Sequence, residues 1–384
     1  MRRLWLTFAQ TATIALALLF VVTTLKPEWL PSRPQGRQVV EFTQTSRVPS
    51  PAMRATSYSD AVHKAAPAVV SILTRKDVKV PQHPFFSDPL FRRFFGDGAP
   101  DESQRALGLG SGVIVSTRGY ILTNHHVVEA ADEIEVALAD GRKLRAKAIG
   151  TDQETDLAVL QIDEANLPAI TFGRADGVKV GDVVLAIGNP FGVGQTVTMG
   201  IVSALGRTGL QINTYENFIQ TDAAINPGNS GGALTDAAGN LIGINTAIYS
   251  RSGGSLGIGF AIPVSTAKQV MEQIIASGSV TRGWIGVEAQ EITPELAESF
   301  NLASTRGALV AGVLRGGPAD RAGVKPGDIL VSINGRPVAD PTAMLNIVAG
   351  LNPGKPATMR LRRDQKEIEL RFTPGKRPPA RRRR

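Results

Sequence analysis

Between residues 112 and 263 the chain is written as short apolar runs, each closed by glycine, asparagine, aspartate or proline. "GVIVS", "YILTN", "EIEVAL", "DLAVLQI", "DVVLAIG", "TVTMGIVSAL", "NFIQT", "GALTD", "LIGINTAI" and "GIGFAIP" follow one another, with turn signals such as Asp140-Gly141 between them. Strands this short and this frequent predict an all-β sandwich or a pair of barrels.

The flanks read differently. "SDAVHKAAPAVVSIL" is a short helix leading into a strand. "VSTAKQVMEQIIASG" (264–278) puts Val264, Ala267, Val270, Met271, Ile274 and Ile275 on one face and stops at Gly278, which predicts an amphipathic helix linking two domains. The second unit, residues 281–373, combines "GWIGVEAQEITPELAESFNL", "GALVAGVLRGGPADRAGVKPGDILVSINGRPV", a helix-like "PTAMLNIVAGL" and strands over 357–373. About 90 residues of mixed helix and strand is the length of a domain.

The N-terminal stretch 4–25 holds 22 residues without a charge. As a helix it spans roughly 33 Å, enough to cross a bilayer. A cleaved signal peptide is the competing reading, but no small-x-small site follows Leu25 directly. Arg2 and Arg3 would hold residues 1–3 in the cytoplasm and send the rest across. Residues 26–57, rich in Pro, Ser, Arg and Gln, read as a tether. Five of the 14 phenylalanines fall between Phe85 and Phe95, in a loop packed on its own aromatics or serving as a docking element.

Net charge is +8, with six positive charges in "KRPPARRRR" (376–384) and two in the opening residues, so the fold itself is about neutral. A nucleic-acid-binding domain would carry its basic footprint within the fold. The absence of cysteine removes thiol catalysis, disulfides and Cys-ligated zinc. Four histidines and no H-E-x-x-H leave little for a metal site, and no cofactor is expected.

"INPGNSGG" (225–232) surrounds Ser230 with three glycines. Serine needs a base in contact and donors for the developing oxyanion, and glycine lets the Gly228 and Ser230 amides turn toward one point. Alone this reads more readily as an ordinary turn. The base would be a histidine. His63 lies in the early helix and His83 in the irregular loop, whereas "ILTNHHVV" leaves His125 and His126 at the end of an apolar strand. Asp156, opening the apolar strand of "ETDLAVLQI", is either a strand-initiating residue or the carboxylate that orients an imidazole. "GLGSG" (108–112) lacks the lysine and the βαβ context of a nucleotide loop.

Taken together, "TNHHVV", "TDLAVL" and "GNSGGAL" resemble the motifs of the HtrA family of trypsin-fold serine proteases, in the chymotrypsin-like order His, Asp, Ser. The resemblance covers nearly all of 57–373. It implies a chymotrypsin-like double β-barrel over 58–279 with His126 as base, Asp156 as its orienter, Ser230 as nucleophile and the Gly228 and Ser230 amides as oxyanion hole. The position six before the nucleophile is Ala224, which with Ile225 and Ile248 implies cleavage after small aliphatic residues; Asp222 is the residue that would oppose this. Residues 281–373 resemble the family's α+β PDZ module, in which Trp284, Ile285, Gly286 and Val287 form the carboxylate-binding loop. One such module with an anchor is similar to the membrane-tethered, stress-sensing branch. That likeness implies a periplasmic homotrimer activated by C-termini of misfolded outer-membrane proteins and cutting an anti-sigma factor. It also implies that Arg207 relays PDZ occupancy. Residues 374–384 read as a basic tail, whose "PPARRRR" (378–384) is solvated, with acidic headgroups as the alternative partner. A peptide-binding sensor or chaperone with an inactive protease fold is the competing function.

Overall fold

The structure, a computed structural model, describes residues 57–77, 105–129, 131–190, 194–248 and 255–378, together with Trp5. The expected anchor, the Phe85–Phe95 loop and the final arginines lie outside the described residues. Among those described, no helix is long and apolar enough to cross a membrane.

A short helix, α1 (Ser59–Ala65), leads into β1 (Val69–Asp77). β2 (Arg105–Ile114), β3 (Tyr120–Thr123), β4 (Glu133–Ala137), β5 (Lys143–Asp152) and β6 (Leu157–Ile162) follow, and a helical turn, α2 (His125–Val128), sits after β3. Their order, β1-β2-β3-β6-β5-β4, closes because β4 pairs back onto β1. A second closed barrel, β10-β11-β12-β9-β8-β7, is built from β7 (Val183–Gly188), β8 (Thr196–Arg207), β9 (Phe218–Thr221), β10 (Ala233–Asp236), β11 (Leu241–Ile248) and β12 (Gly259–Pro263). Of the two β architectures left open by the strand pattern, the chain adopts the barrel pair. Closure removes the exposed strand edges that so many short strands would otherwise present.

Leu157, Ala158, Val159 and Leu160 of β6 are all fully buried. Alternation fails there because one strand face fills the barrel while the other is covered from outside. The cover is α3 (Val264–Ser277), which packs against β5 and β6 of one barrel and β11 and β12 of the other. Val264, Ala267, Val270, Met271 and Ile274 form its buried face, while Ile275 is only partly covered.

The C-terminal module starts at β13 (Gly283–Trp284) and β14 (Val287–Gln290), then α4 (Pro294–Ser299), β15 (Ala308–Val313) and α5 (Pro318–Arg321). It continues through β16 (Ile329–Ile333), β17 (Arg336–Pro337), α6 (Pro341–Ala349), β18 (Ala357–Arg363), β19 (Lys366–Phe372) and β20 (Gly375–Lys376). The sheet runs β14-β15-β16-β18-β19, so β14 is an edge strand. α6 begins with Pro341 at its first position and Asp340 accepting from the Ala343 amide at 2.7 Å, a capping arrangement that satisfies an otherwise orphaned donor. β20 pairs with β13, and the Arg377 amide donates to the Arg282 carbonyl at 3.0 Å. The first residues of the expected basic tail, 374–377, therefore fold back on the module's entry. The run of positive charge hid a strand whose partner lies about 90 residues upstream.

Ile274 is fully buried beneath both barrels. Ile274→Ala is expected to lower unfolding free energy by about 2–5 kcal/mol, read as a fall in the urea midpoint; an unchanged midpoint would contradict the clamp role of α3.

Candidate active site

The first barrel supplies an imidazole and a carboxylate from the ends of adjacent strands. β3 and β6 pair directly, with Thr123 opposite Ala158. Just past β3, α2 carries His126; just before β6, a turn carries Asp156. His126 Nδ1 lies 2.8 Å from Asp156 Oδ2, and the His126 amide donates to Oδ1 at 2.9 Å. The Thr246 hydroxyl, from β11 of the second barrel, donates to Oδ2 at 2.8 Å. Asp156 is buried, and burial alone would raise its pKa. The hydrogen bond from His126, that residue's charge and its backbone amide, with Thr246 added, outweigh this, so the carboxyl lies below its ordinary value.

Asp156 also has φ of +58°, a left-handed conformation that costs a non-glycine residue of order 1 kcal/mol or more. Two bonds hold it there: Asn124 Nδ2 donates to the Asp156 carbonyl at 2.9 Å, and the Asp156 amide reaches the Gln153 carbonyl at 3.4 Å.

The second barrel supplies the serine. Ser230 sits in the loop before β10, and its Oγ donates to the Thr246 carbonyl at 3.3 Å. Thr246 thus touches the carboxylate through its side chain and the serine through its backbone, which brings residues from three distant stretches to one crevice. The loop is pinned across the barrel interface by Ser111 of β2. The Ser111 amide donates to the Ser230 carbonyl at 2.8 Å, and its hydroxyl donates to the Gly228 carbonyl at 2.5 Å. That same hydroxyl accepts from the Asn189 amide at 2.8 Å. Gly228 and Gly231 have φ of +96° and +84°. A Cβ on Gly231 would strike the Ser111 carbonyl and the Thr123 hydroxyl, so glycine is required there for conformation and close approach alike. Among the described residues, nothing accepts from the Gly228 or Ser230 amides.

The other expected residues are placed as follows. Both ring nitrogens of His125 are buried without a hydrogen bond, with Nε2 3.8 Å from Glu129. Ala224 is half-buried, its carbonyl accepting from Thr198 Oγ1 at 2.8 Å. Ile225 is 1% exposed in the core of the second barrel and offers no open wall. Ile248 ends β11, with its side chain outside the described residues. The Asp222 carboxylate accepts from the Ile201 amide at 2.7 Å. Arg207 is exposed, and its Nε donates to Gln220 of the neighbouring strand at 2.8 Å. In the C-terminal module the Ile285 and Gly286 carbonyls accept from the Ala319 and Leu314 amides. Trp284 lies in β13, Ile285 is buried and Val287 opens the edge strand β14.

Sequence reasoning missed Ser111, Thr246, Asn124 and Thr123. Ser111 lies in "GLGSG", whose sequence alone shows only that it lacks the features of a nucleotide loop. A polar residue inside an otherwise apolar strand was the available signal, since a fully buried serine or threonine needs a partner.

Thr246→Val removes a donor to Asp156, so the carboxyl pKa rises toward its ordinary value. A carboxyl depressed in the folded state contributes stability above the ordinary carboxylate pKa and loses it as pH falls through the folded value. The acid-unfolding midpoint of Thr246→Val should therefore move to higher pH; an unshifted midpoint would contradict the assigned hydrogen bond.

Comparison with known proteins agrees with this geometry. Residues 110–244 match the trypsin-like peptidase domain family and residues 309–363 match the PDZ domain family. A probable periplasmic serine endoprotease DegP-like from Ectopseudomonas mendocina (strain ymp) is 47% identical over 332 residues, covering 83% of this chain and 70% of the relative. The solved HtrA-type protease AlgW with decapeptide is 58% identical with a TM-score of 0.72, covering 85% of this chain and 100% of that one. The serine endoprotease from Yersinia pestis is 39% identical with a TM-score of 0.62, covering 84% and 99%. Two chymotrypsin-like barrels, a PDZ module and this degree of identity place the chain in the HtrA-type family of serine endoproteases.

Proposed function

We propose that His126, Asp156 and Ser230 act as one acyl-transfer unit. The observation that carries this reading is the Asp156 carboxylate, which holds the His126 ring on one side and, through Thr246, adjoins Ser230 on the other. His126 Nε2 takes the Ser230 proton as Oγ attacks the scissile carbonyl, then returns it to the leaving amine; water cleaves the acyl-enzyme. Asp156 holds the imidazole tautomer and stabilises its charged form. The Gly228 and Ser230 amides, free of acceptors among the described residues, receive the oxyanion, a contribution worth about 10²–10³-fold. For attack, the Ser230 hydroxyl donates to His126 Nε2 in place of the Thr246 carbonyl.

The substrate reading is cleavage after small aliphatic residues. Ala224 occupies the position where a trypsin-type acid would sit, and the Asp222 carboxylate is engaged by the Ile201 amide.

The PDZ module reads C-terminal peptides through residues 284–287. Two carbonyls of that loop are taken up internally, and β14 has an open edge onto which a peptide adds as a further strand. The solved AlgW relative carries a decapeptide. Curated relatives are named periplasmic endoproteases, which supports a periplasmic place for both domains, held at the inner membrane by residues 4–25. In the finer reading the enzyme is a homotrimer, misfolded outer-membrane proteins supply the activating C-termini, and an anti-sigma factor is cut.

A fluorophosphonate probe should label the wild type and not Ser230→Ala; an unlabelled wild type would favour the inactive sensor. Asp156→Asn should lower kcat by about 10⁴-fold with the fold intact. Arg207→Ala should lose peptide stimulation far more than stability. A panel of substrates with and without C-terminal peptides tests preference and gating together, and strong selection of Lys would reject the small-residue pocket.

A further inference from the structure

Ser111, fully buried in β2, commits all of its polar groups to the crevice. Its amide donates to the Ser230 carbonyl at 2.8 Å. Its carbonyl accepts from the Thr123 hydroxyl at 2.7 Å, at the point where Gly231 approaches both. Any residue at 111 supplies those backbone groups. The hydroxyl is what serine adds, and it lies 2.5 Å from the Gly228 carbonyl and 2.8 Å from the Asn189 amide. An amide can only donate, so Asn189 occupies an acceptor position on Oγ. The single hydroxyl proton is thereby committed to the Gly228 carbonyl.

That carbonyl sits in the middle of the proposed oxyanion hole. Residues 226–229 form a turn closed by the Asn229 amide on the Asn226 carbonyl at 3.0 Å. With Pro227 before it, the φ of +96° at Gly228 makes the turn type II. Two peptide units separate the Gly228 amide from the Ser230 amide, and their planes set how the two donors face one another. The first unit is clamped at both ends, its carbonyl by Ser111 and its N–H by Asn226. The second is held by the Asn229 carbonyl, which accepts from the Gly232 amide at 2.9 Å. Pro190 closes over Gly228 from the other side, where a Cβ would strike it at 2.5 Å. Of these restraints the Ser111 hydroxyl is the one that comes from the first barrel.

We propose that the Ser111 hydroxyl is a positioning residue for the oxyanion hole, holding the Gly228 and Ser230 amides in register with His126. The register follows from what else Ser111 touches. Thr123, bonded to the Ser111 carbonyl, ends β3 three residues before His126. Base and donors, carried by different barrels, are thus referred to one buried residue. Without the hydroxyl, the first peptide unit keeps only its Asn226 bond, and glycine offers little conformational resistance to its turning. The buried Gly228 carbonyl and Asn189 amide would also lose their shared partner. The inference rests on the reading that these two amides receive the oxyanion.

The test uses the full chain with Ser111→Ala, Ser111→Gly and Ser111→Thr, and Ser71→Ala as control. Ser71 pairs with Ser111 across β1 and β2, is equally buried, and its hydroxyl has no partner among the described residues. Turnover of a peptide substrate is counted per site labelled by a fluorophosphonate at completion. Affinity is measured for a peptide aldehyde, whose hemiacetal oxygen with Ser230 takes the oxyanion position, and for the matching peptide alcohol, which forms no adduct. Ser111→Ala should lower kcat per site by about 10- to 100-fold with KM within about twofold. Aldehyde affinity should fall by a similar factor, because the adduct resembles the transition state, while the alcohol binds as to the wild type. Ser111→Thr, which keeps a hydroxyl, should recover most of both losses, and Ser71→Ala should match the wild type. The low-field proton resonance of the His126–Asp156 hydrogen bond, followed by NMR, should stay in place throughout. Ser111→Gly keeps the backbone contacts and carries the test if Ser111→Ala does not fold. Wild-type kcat per site and aldehyde affinity in a folded variant lacking the hydroxyl would overturn the proposal. Equal weakening of aldehyde and alcohol, or a moved resonance, would overturn it too, since the loss would then run through the pocket or the triad. Absence of labelling in the wild type would instead overturn the triad reading, and this inference with it.

Discussion

A buried carboxylate between two barrels is the constraint around which this molecule is organised. Asp156 keeps its charge because three donors from two segments converge on it: the His126 ring and amide from after β3, and the Thr246 hydroxyl from β11. Each of those donors is fixed by a barrel. The barrels are fixed to each other by α3 on the outside and by Ser111 on the inside. An uncompensated charge at this depth would cost several kcal/mol, so the fold and the crevice specify one another.

The same economy explains the glycines. Gly231 meets the Ser111 carbonyl and Thr123 hydroxyl where any side chain would collide, and Gly228 gives up its carbonyl to Ser111. The serine loop is held by the Gly228 and Ser230 carbonyls and by the Gly231 amide, which donates to the Asn245 carbonyl, while the Gly228 and Ser230 amides find no acceptor among the described residues. A similar division recurs at residues 285–286 of the PDZ module, where carbonyls are consumed by Ala319 and Leu314.

Much of this was legible in the sequence because it is local. Short strands with turn punctuation, the 264–278 helix, the stop at Gly278 and the "GNSGGAL" loop are all written in adjacent residues. The resemblance to a known family then gave His126, Asp156 and Ser230 their partners. What stayed hidden is tertiary. Ser111 and Thr246 look like ordinary strand residues until a second barrel faces them. Ile225 looked like pocket surface because it neighbours the serine loop, yet its side chain turns into the core. Arg377 looked like part of a basic tail, because nothing nearby in sequence announces Glu154 as its partner.

The central claim is that His126 and Ser230 work as a single unit, and a double-mutant cycle tests it most directly. Residual kcat/KM is measured for His126→Ala, Ser230→Ala and the double variant on one peptide substrate. A shared unit predicts that the double variant is no slower than the worse single one, because either removal already abolishes the same step. Losses that multiply across the cycle would show two independent contributions and contradict the account.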